Sequence, residues 1–291
     1  MIIYFFAAAC YNKSEQGTED EDMIQANQTL GEAISARLTT KWAGRTLHYA
    51  PEVDSTNRCL KDLAKEGAPH GTLCVCDFQS AGRGRMQRRW QAQPGEALLM
   101  SVLVRPERLE PEKAPAIVLV GALAVCRALE EMGVQARIKW PNDIVCGAKK
   151  LCGMLLELGL KQTSVDFAIL GIGINVKAHP VSAETAHAGS VCEALGREAS
   201  REEVASRVLA QFEKTYENWE KTGMDAIMGD YCARCVTLSG RVRAEEQTGV
   251  SFEGTGVGLC EDGALVMRLD DGTEKILHAG DVSVRGIMGY V

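Results

Sequence analysis

A chain of 291 residues, 46% of them apolar, is long enough to bury one full core and a small second one. Its formal net charge of −7 and isoelectric point near 5.4 exclude a protein whose main partner is nucleic acid, because such a partner calls for a basic footprint. Eleven cysteines without framework spacing fit reduced thiols in a cytoplasm better than a disulfide scaffold.

In chain order, Met1–Cys10 is apolar, but about ten residues are too few for a hydrocarbon core that needs roughly twenty, and no basic segment precedes the run as in a secretory signal. Residues 12–28 are polar and carry Glu19-Asp20-Glu21-Asp22, which reads as disorder. Residues 1–41 are therefore expected to be a largely disordered extension, with no membrane association. Arg45–Ala50 predicts a first strand. Asp54 or Ser55 caps a helix through Lys65, with Leu60, Leu63 and Ala64 on one face and Gly67 as its stop. Strand patterns follow at Thr72–Gln79 and Ala97–Val104. Cys74 and Cys76 share a face of the first of these, but no second pair completes a tetrahedral metal site.

Pro115–Met132 predicts a buried helix ending at Gly133. Ala136–Trp140, Leu151–Leu158 and Val165–Val176 predict three strands, and Ser200-Arg201-Glu202-Glu203 a capping box that opens a long helix to about Lys221. Strands and helices not in strict alternation indicate an α+β domain with a mixed sheet over residues 42–233. From residue 234 the pattern changes. Val236–Val242, Gly254–Leu259, Ala264–Leu269 and Glu274–Leu277 are short β runs punctuated by Asp262-Gly263 and Asp271-Gly272, hairpin signals that predict a small barrel over 234–291.

The segment Gly82-Arg83-Gly84-Arg85-Met86-Gln87-Arg88-Arg89-Trp90 is suited to wrapping an anion. Gly82 and Gly84 allow positive φ and close backbone approach, the arginines offer forked donors for phosphate or carboxylate, and Trp90 can cover a flat ring. A solvated basic loop or a local nucleic-acid patch is the alternative. Ser55-Thr56-Asn57, taken alone, reads first as an ordinary helix start. Lys149 and Lys150 follow a Gly147-Ala148 turn and compete for any catalytic role. Lys139-Trp140-Pro141-Asn142-Asp143 has turn composition. In Gly171-Ile172-Gly173-Ile174-Asn175 the glycines fall inside a strand pattern, where missing side chains make room for a ligand on the sheet.

Taken together and in this order, these segments resemble the catalytic domain of the biotin protein ligases, from about Trp42 to the C-terminus. The resemblance implies a class II synthetase-like domain followed by an SH3-like one that ends in Ser283-Val284-Arg285. It implies activation of biotin with ATP to biotinoyl-5′-AMP, then transfer to a lysine of a biotin carboxyl carrier protein or domain, without a tightly bound prosthetic group. Ser55, Thr56, Asn57, Gln79, Gly82, Arg83, Arg85, Lys150, Gly153, Gly171 and Gly173 are then the biotin site, and Lys150, Arg83 and Arg85 are catalytic. The Lys-Leu-x-Gly pattern selects Lys150 over Lys149. Arg85, Trp90, Asn142, Asn175 and Arg285 fall to ATP, with Trp90 and Arg285 on the adenine side and Asp143 holding Mg²⁺. One departure is Gln87, where the family loop has a third glycine.

The nearest alternative is a lipoate or octanoyl ligase. A DNA-binding sensor is the other, but bifunctional family members carry a helix-turn-helix domain where this chain has 41 mostly polar residues, so no DNA binding is expected. The expected assembly is a monomer or homodimer in the cytoplasm.

Overall fold

In the computed structural model, residues 2–5, 28–177, 186–246, 249–279, 282–286 and 290 are described. Eight strands, β1 (Ile2–Phe5), β2 (Thr46–Val53), β3 (Leu73–Gln79), β4 (Ala97–Val104), β5 (Arg137–Lys139), β6 (Asp143–Cys146), β7 (Lys149–Lys161) and β8 (Ser164–Asn175), form one mixed sheet in the order β1-β2-β3-β4-β8-β7-β6-β5. The first three are mutually parallel and all later neighbours antiparallel. Among the described residues six helices accompany them: α1 (Leu30–Arg37), α2 (Thr56–Lys65), α3 (Ala116–Met132), α4 (Val191–Leu195), α5 (Arg201–Thr222) and α6 (Asp225–Arg234).

The two faces of the sheet are covered unequally, and this creates the site. β4 is buried at every position and apolar except for Ser101, as a central strand must be. The almost wholly apolar α3 lies over one face, and α5 packs on it. Gly121 allows the close approach, since a Cβ there would stand 2.4 Å from Leu170 Cδ2. On the other face, α2 covers only one end, where Leu60 and Ala64 pack on Cys74, Leu103, Phe167 and Ile169. The rest of that face stays open as a pocket.

Several local expectations change. Leu30–Arg37 is a helix with a reciprocal capping box between Thr29 and Glu32, and it buries Leu30 and Ile34 in the core, so order begins well before residue 42. The four-residue signal was hidden by its polar surroundings. Lys139-Trp140-Pro141-Asn142-Asp143 is the tight connection of a β5–β6 hairpin with a cis Trp140–Pro141 bond, rather than a free turn. Ser200 caps α5 by accepting from Glu203 N, but the Glu203 carboxylate faces Arg207, so only half of that box forms.

The C-terminal strands are β9 (Arg241–Glu246), β10 (Ser251–Leu259), β11 (Leu265–Leu269), β12 (Glu274–Leu277) and β13 (Val282–Gly286), ordered β12-β11-β10-β9-β13 and antiparallel throughout. Strand begins at Arg241, because Val236–Gly240 is taken up in turns, with Leu238 bridged to Gly256 of β10 and Val236 N donating to Ile138 O of the larger domain at 2.9 Å. Among the described residues no ladder joins β12 to β13. The apolar face of this sheet (Val242, Ala244, Leu265, Met267, Leu277) merges with the main core, so one hydrophobic cluster spans the boundary near residue 234.

Glu213 of α5 organises the entry to the sheet. Its carboxylate accepts from the backbone N–H groups of Lys41 (2.8 and 2.9 Å), Trp42 (2.7 Å) and Ala43 (3.0 Å). Burial alone would raise its pKa, but these donors and the Lys41 charge outweigh that and hold it below the usual carboxylate value. A lowered folded-state pKa means the stabilisation is complete above the unfolded carboxylate range and is lost as pH falls through the folded value. Glu213→Gln should therefore lower the unfolding free energy by about 2 kcal/mol at neutral pH. The deficit should shrink at about pH 3. Urea unfolding at both pH values checks this, and an equal deficit at both would contradict it.

Candidate active site

The pocket floor follows from strand register. One rung runs Cys76, Leu99, Gly173, Gly153, Asp143 across β3, β4, β8, β7 and β6; the next runs Cys74, Ser101, Gly171, Leu155. Glycines at adjacent rungs leave a bare strip along the sheet. The chain's own side chains use part of it. A Cβ on Gly171 would stand 2.3 Å from Asn57 Oδ1, and one on Gly173 would stand 2.6 Å from the Trp90 indole. The glycines therefore seat Asn57 and Trp90 flat on the sheet as walls of the remaining space.

At one end the walls are polar and neutral. Gln79 Oε1 accepts from Thr56 N (2.8 Å) and lies 3.1 Å from Thr56 Oγ1, so Gln79 caps the start of α2 while Ser55 makes no side-chain cap. Ser101 Oγ lies 2.7 Å from Thr56 Oγ1 and 2.6 Å from Asn57 Oδ1, and Asn57 Nδ2 donates to Leu155 O at 3.3 Å. Ser55, Thr56, Asn57 and Ser101 are all buried. Ser101 was not among the expected site residues. Its signal was a lone hydroxyl in an otherwise apolar strand, where an unpartnered polar group would be costly.

The arginine segment closes as a hairpin: Arg83 bridges Arg89, Trp90 N donates to Gly82 O at 3.1 Å, and Gly84 N to Arg88 O at 2.7 Å. Gly82 and Gly84 do not take positive φ; the left-handed residue is Met86, with φ 53°. Gly82 is needed for space, since a Cβ there would stand 2.5 Å from Trp90 O. Gln87 keeps an ordinary backbone as the last residue of a 3₁₀ turn. Arg83 Nη1 lies 3.7 Å from Glu157 Oε1, directed at β7 and away from the cationic end. Arg85 reaches across to the C-terminal sheet, donating to Asn142 Oδ1 (3.0 Å), Val282 O (2.9 Å) and Ala279 O.

The opposite end of the pocket is charged. A β-bulge at Leu151 shifts the alternation of β7, so Lys150 turns inward while Lys149 donates to Ala186 O at the surface. Lys150 Nζ lies 2.7 Å from Asp143 Oδ1, an ion pair without hydrogen-bond alignment, and 5.8 Å from the Trp90 ring centroid. Trp90 thus stands beside Lys150, over Gly153 and Gly173. Its Nε1 is buried without a partner. Lys139, 6% exposed, has its pKa pushed down to about 8 by burial despite Asp143 nearby. Burial also lowers the pKa of Arg85.

Asn142 Nδ2 donates to Met154 O (2.8 Å) and Asn175 Nδ2 to Gly189 O (3.0 Å), so both amides brace the backbone around Lys150. Arg285 lines the pocket from the rim; the Ser283 side chain lies outside the described residues. Among the described lining residues Asp143 is the only carboxylate, and no group of three metal-ligating side chains is present among the described residues.

The sequence model of the Biotin/lipoate A/B protein ligase family matches residues 49–175, and that of the Biotin protein ligase C terminal domain matches residues 240–285. The chain is 35% identical to the bifunctional ligase/repressor BirA of Bacillus subtilis over 246 residues, covering 83% of this chain and 75% of that protein. It is 29% identical to the biotin--[acetyl-CoA-carboxylase] ligase of Mycobacterium tuberculosis, covering 82% and 88%. Among solved structures, the biotin protein ligase of Aquifex aeolicus in complex with biotin and ATP superposes with a TM-score of 0.72 at 31% identity, covering 83% of this chain and 99% of that one.

The hairpin geometry is testable through its own arginines, which are trypsin sites. Ala at Gly82 meets backbone, whereas at Gly84 the nearest atom is 3.4 Å away. Gly82→Ala should therefore speed tryptic cleavage within residues 83–89 by about tenfold, and Gly84→Ala should change it little, because cleavage tracks the population of the open loop. Equal cleavage rates in the two variants would show that the hairpin is not what holds the segment.

Proposed function

We infer the reaction from one premise: the chain belongs to the biotin protein ligases, within the Biotin/lipoate A/B protein ligase family. It activates biotin with ATP to biotinoyl-5′-AMP, releasing pyrophosphate, and transfers the biotinoyl group to a lysine of a carboxylase carrier domain. The observation that carries this reading is one pocket joining a neutral hydrogen-bonding end to a cationic end across a bare glycine strip.

Biotin has the same two-ended chemistry. Its urea-like ring has two N–H donors and one carbonyl acceptor, which suits the Thr56, Asn57, Gln79 and Ser101 set. Its carboxylate, at the far end of an apolar chain, would lie beside Trp90 and reach Lys150. There the carboxylate oxygen attacks the α-phosphorus of ATP and pyrophosphate leaves. The Lys150 ammonium stands between two anions, offsets their repulsion and stabilises charge developing on phosphorus. In the second step the carrier lysine amine attacks the acyl carbon and AMP departs, so no enzyme nucleophile is required. Lys150 must first release Asp143. Arg83 then serves to latch the hairpin through Glu157, and Arg85 ties the hairpin to β13, so both act on closure more directly than on the reacting atoms.

Magnesium would supply charge neutralisation on the pyrophosphate; among the described residues Asp143 is the carboxylate of the pocket that could face it, with no group of three metal-ligating side chains around it. Asp143 stands without companion carboxylates, with Lys150 at one oxygen and the Tyr290 hydroxyl at the other. Asn142 and Asn175 support this end of the pocket, with Arg285 at the rim toward the nucleotide. No helix of the described residues is long and apolar enough to cross a membrane. A cytoplasmic enzyme that binds no DNA, as a monomer or homodimer, is the accompanying reading, and it rests on the acidic charge and the many thiols.

Biotin-dependent exchange of pyrophosphate into ATP tests the assignment, with lipoate as the competing acid; exchange with lipoate and none with biotin would overturn it. In the same assay Lys150→Ala should lose roughly 10²–10³ in rate and Lys149→Ala little. Equal losses would remove Lys150 from its assigned place.

A further inference from the structure

Tyr290 lies beyond both matched family regions, which end at residues 175 and 285, yet its side chain lines the pocket. Its hydroxyl donates to Asp143 Oδ2 in a short contact. Its ring lies 3.7 Å from Lys139 Nζ and is stacked on His187, with centroids 5.5 Å apart and an interplanar angle of 25°. Lys139 and Asp143 are only 6% and 8% exposed. Burial and Asp143 push the phenol's pKa well up, so it remains a neutral donor.

We propose that Tyr290 is an affinity-determining residue of the nucleotide end: it occupies the place that the phosphates of ATP need, and ATP binds by displacing it. The proposal rests on the ligase reading above. The phenol gives the buried groups what they lack without a ligand. A donor meets the Asp143 carboxylate, and a π face meets the Lys139 ammonium. A triphosphate would engage Lys139 and Lys150 directly, but it cannot reach Lys139 while the ring covers it. The cleft's cavity volume of about 170 Å³ is below the roughly 300–1,000 Å³ of ordinary small-molecule sites, which fits a cleft partly filled by its own side chains. Whenever the binding-competent form is a minor population, apparent affinity falls by that fraction.

The test is calorimetric binding of ATP to biotin-free protein, for the wild type, Tyr290→Ala, Tyr290→Phe and a chain ending at Gly286. Tyr290→Ala and the shortened chain should bind ATP about tenfold more tightly. Tyr290→Phe, which keeps the ring over Lys139 but loses the donor, should fall between them and the wild type. In pyrophosphate exchange the same variants should lower KM for ATP, with KM for biotin unchanged. Unchanged or weaker ATP binding in both Tyr290→Ala and the shortened chain would overturn the proposal. A fall in kcat with unchanged binding would also overturn it, and would make Tyr290 a positioning residue for Asp143. Failure of the ligase reading is separable: it would appear as wild-type protein without biotin-dependent exchange, whatever the Tyr290 variants do to ATP binding.

Discussion

The pocket depends on a register constraint: Gly173 of β8 must sit opposite both Gly153 of β7 and Leu99 of β4, with Gly171 opposite Ser101 one rung on. A slip of one residue in β8 would turn Ile172 and Ile174 onto the pocket face and bury the glycines under α3. Register is held from the other side. Leu170, Ile172 and Ile174 are core residues there, and Leu170 meets Gly121 of α3 at close range. The packing of an apolar helix on one face thus sets the position of every ligand-facing group on the other.

The cationic end is a compromise between burial and charge. Lys139, Lys150 and Arg85 stand around a single carboxylate, and desolvation lowers the pKa of both Lys139 and Arg85. Burying charges that lack sufficient partners is costly. An incoming polyanion removes much of that cost, so the free-energy gain on binding includes relief of repulsion already present in the empty pocket. Asp143 and the Tyr290 hydroxyl keep this end folded until then. The neutral end works differently: Gln79 Oε1, the Thr56 and Ser101 hydroxyls and the Asn57 amide are linked to one another or to backbone, so this part of the pocket wall is braced before a ligand arrives.

Much of this was legible in the residue order. Periodicity placed α2, α3, α5 and most strands to within a few residues, because long apolar runs and capping residues are local signals. The Lys-Leu-x-Gly spacing selected Lys150, and the structural reason is a bulge at Leu151 that no single-residue property reveals. Contacts between segments distant in sequence were not legible. Ser101 acquires its role from Asn57 and Thr56, about 45 residues earlier. Arg83 meets Glu157, and Arg85 meets the carbonyls of Ala279 and Val282, so two arginines that look alike in sequence hold different walls. The hairpin glycines are ambiguous for a related reason: glycine signals positive φ or close approach, and at Gly82 it is the approach of Trp90 O that decides.

The C-terminal sheet is better understood as a wall of the pocket than as an appended stability module. Trp140 Nε1 donates to Gly263 O and Trp140 N to Thr237 Oγ1, both at 3.0 Å, which fixes the Asp262-Gly263 turn to the β5–β6 hairpin. Arg85 joins the same sheet to the arginine hairpin through Val282. These bonds converge on the segment from Lys139 to Asp143, which carries the buried Lys139 and Asp143 of the charged end. The shared apolar core makes the attachment continuous. A rigid-body shift of the C-terminal sheet would therefore have to break buried hydrogen bonds at Trp140 and expose core side chains. A change confined to Arg85, the hairpin and Tyr290 needs neither. Any opening of the pocket to a nucleotide would accordingly fall to those three elements, with the β5–β6 hairpin held in place by its bonds at Trp140.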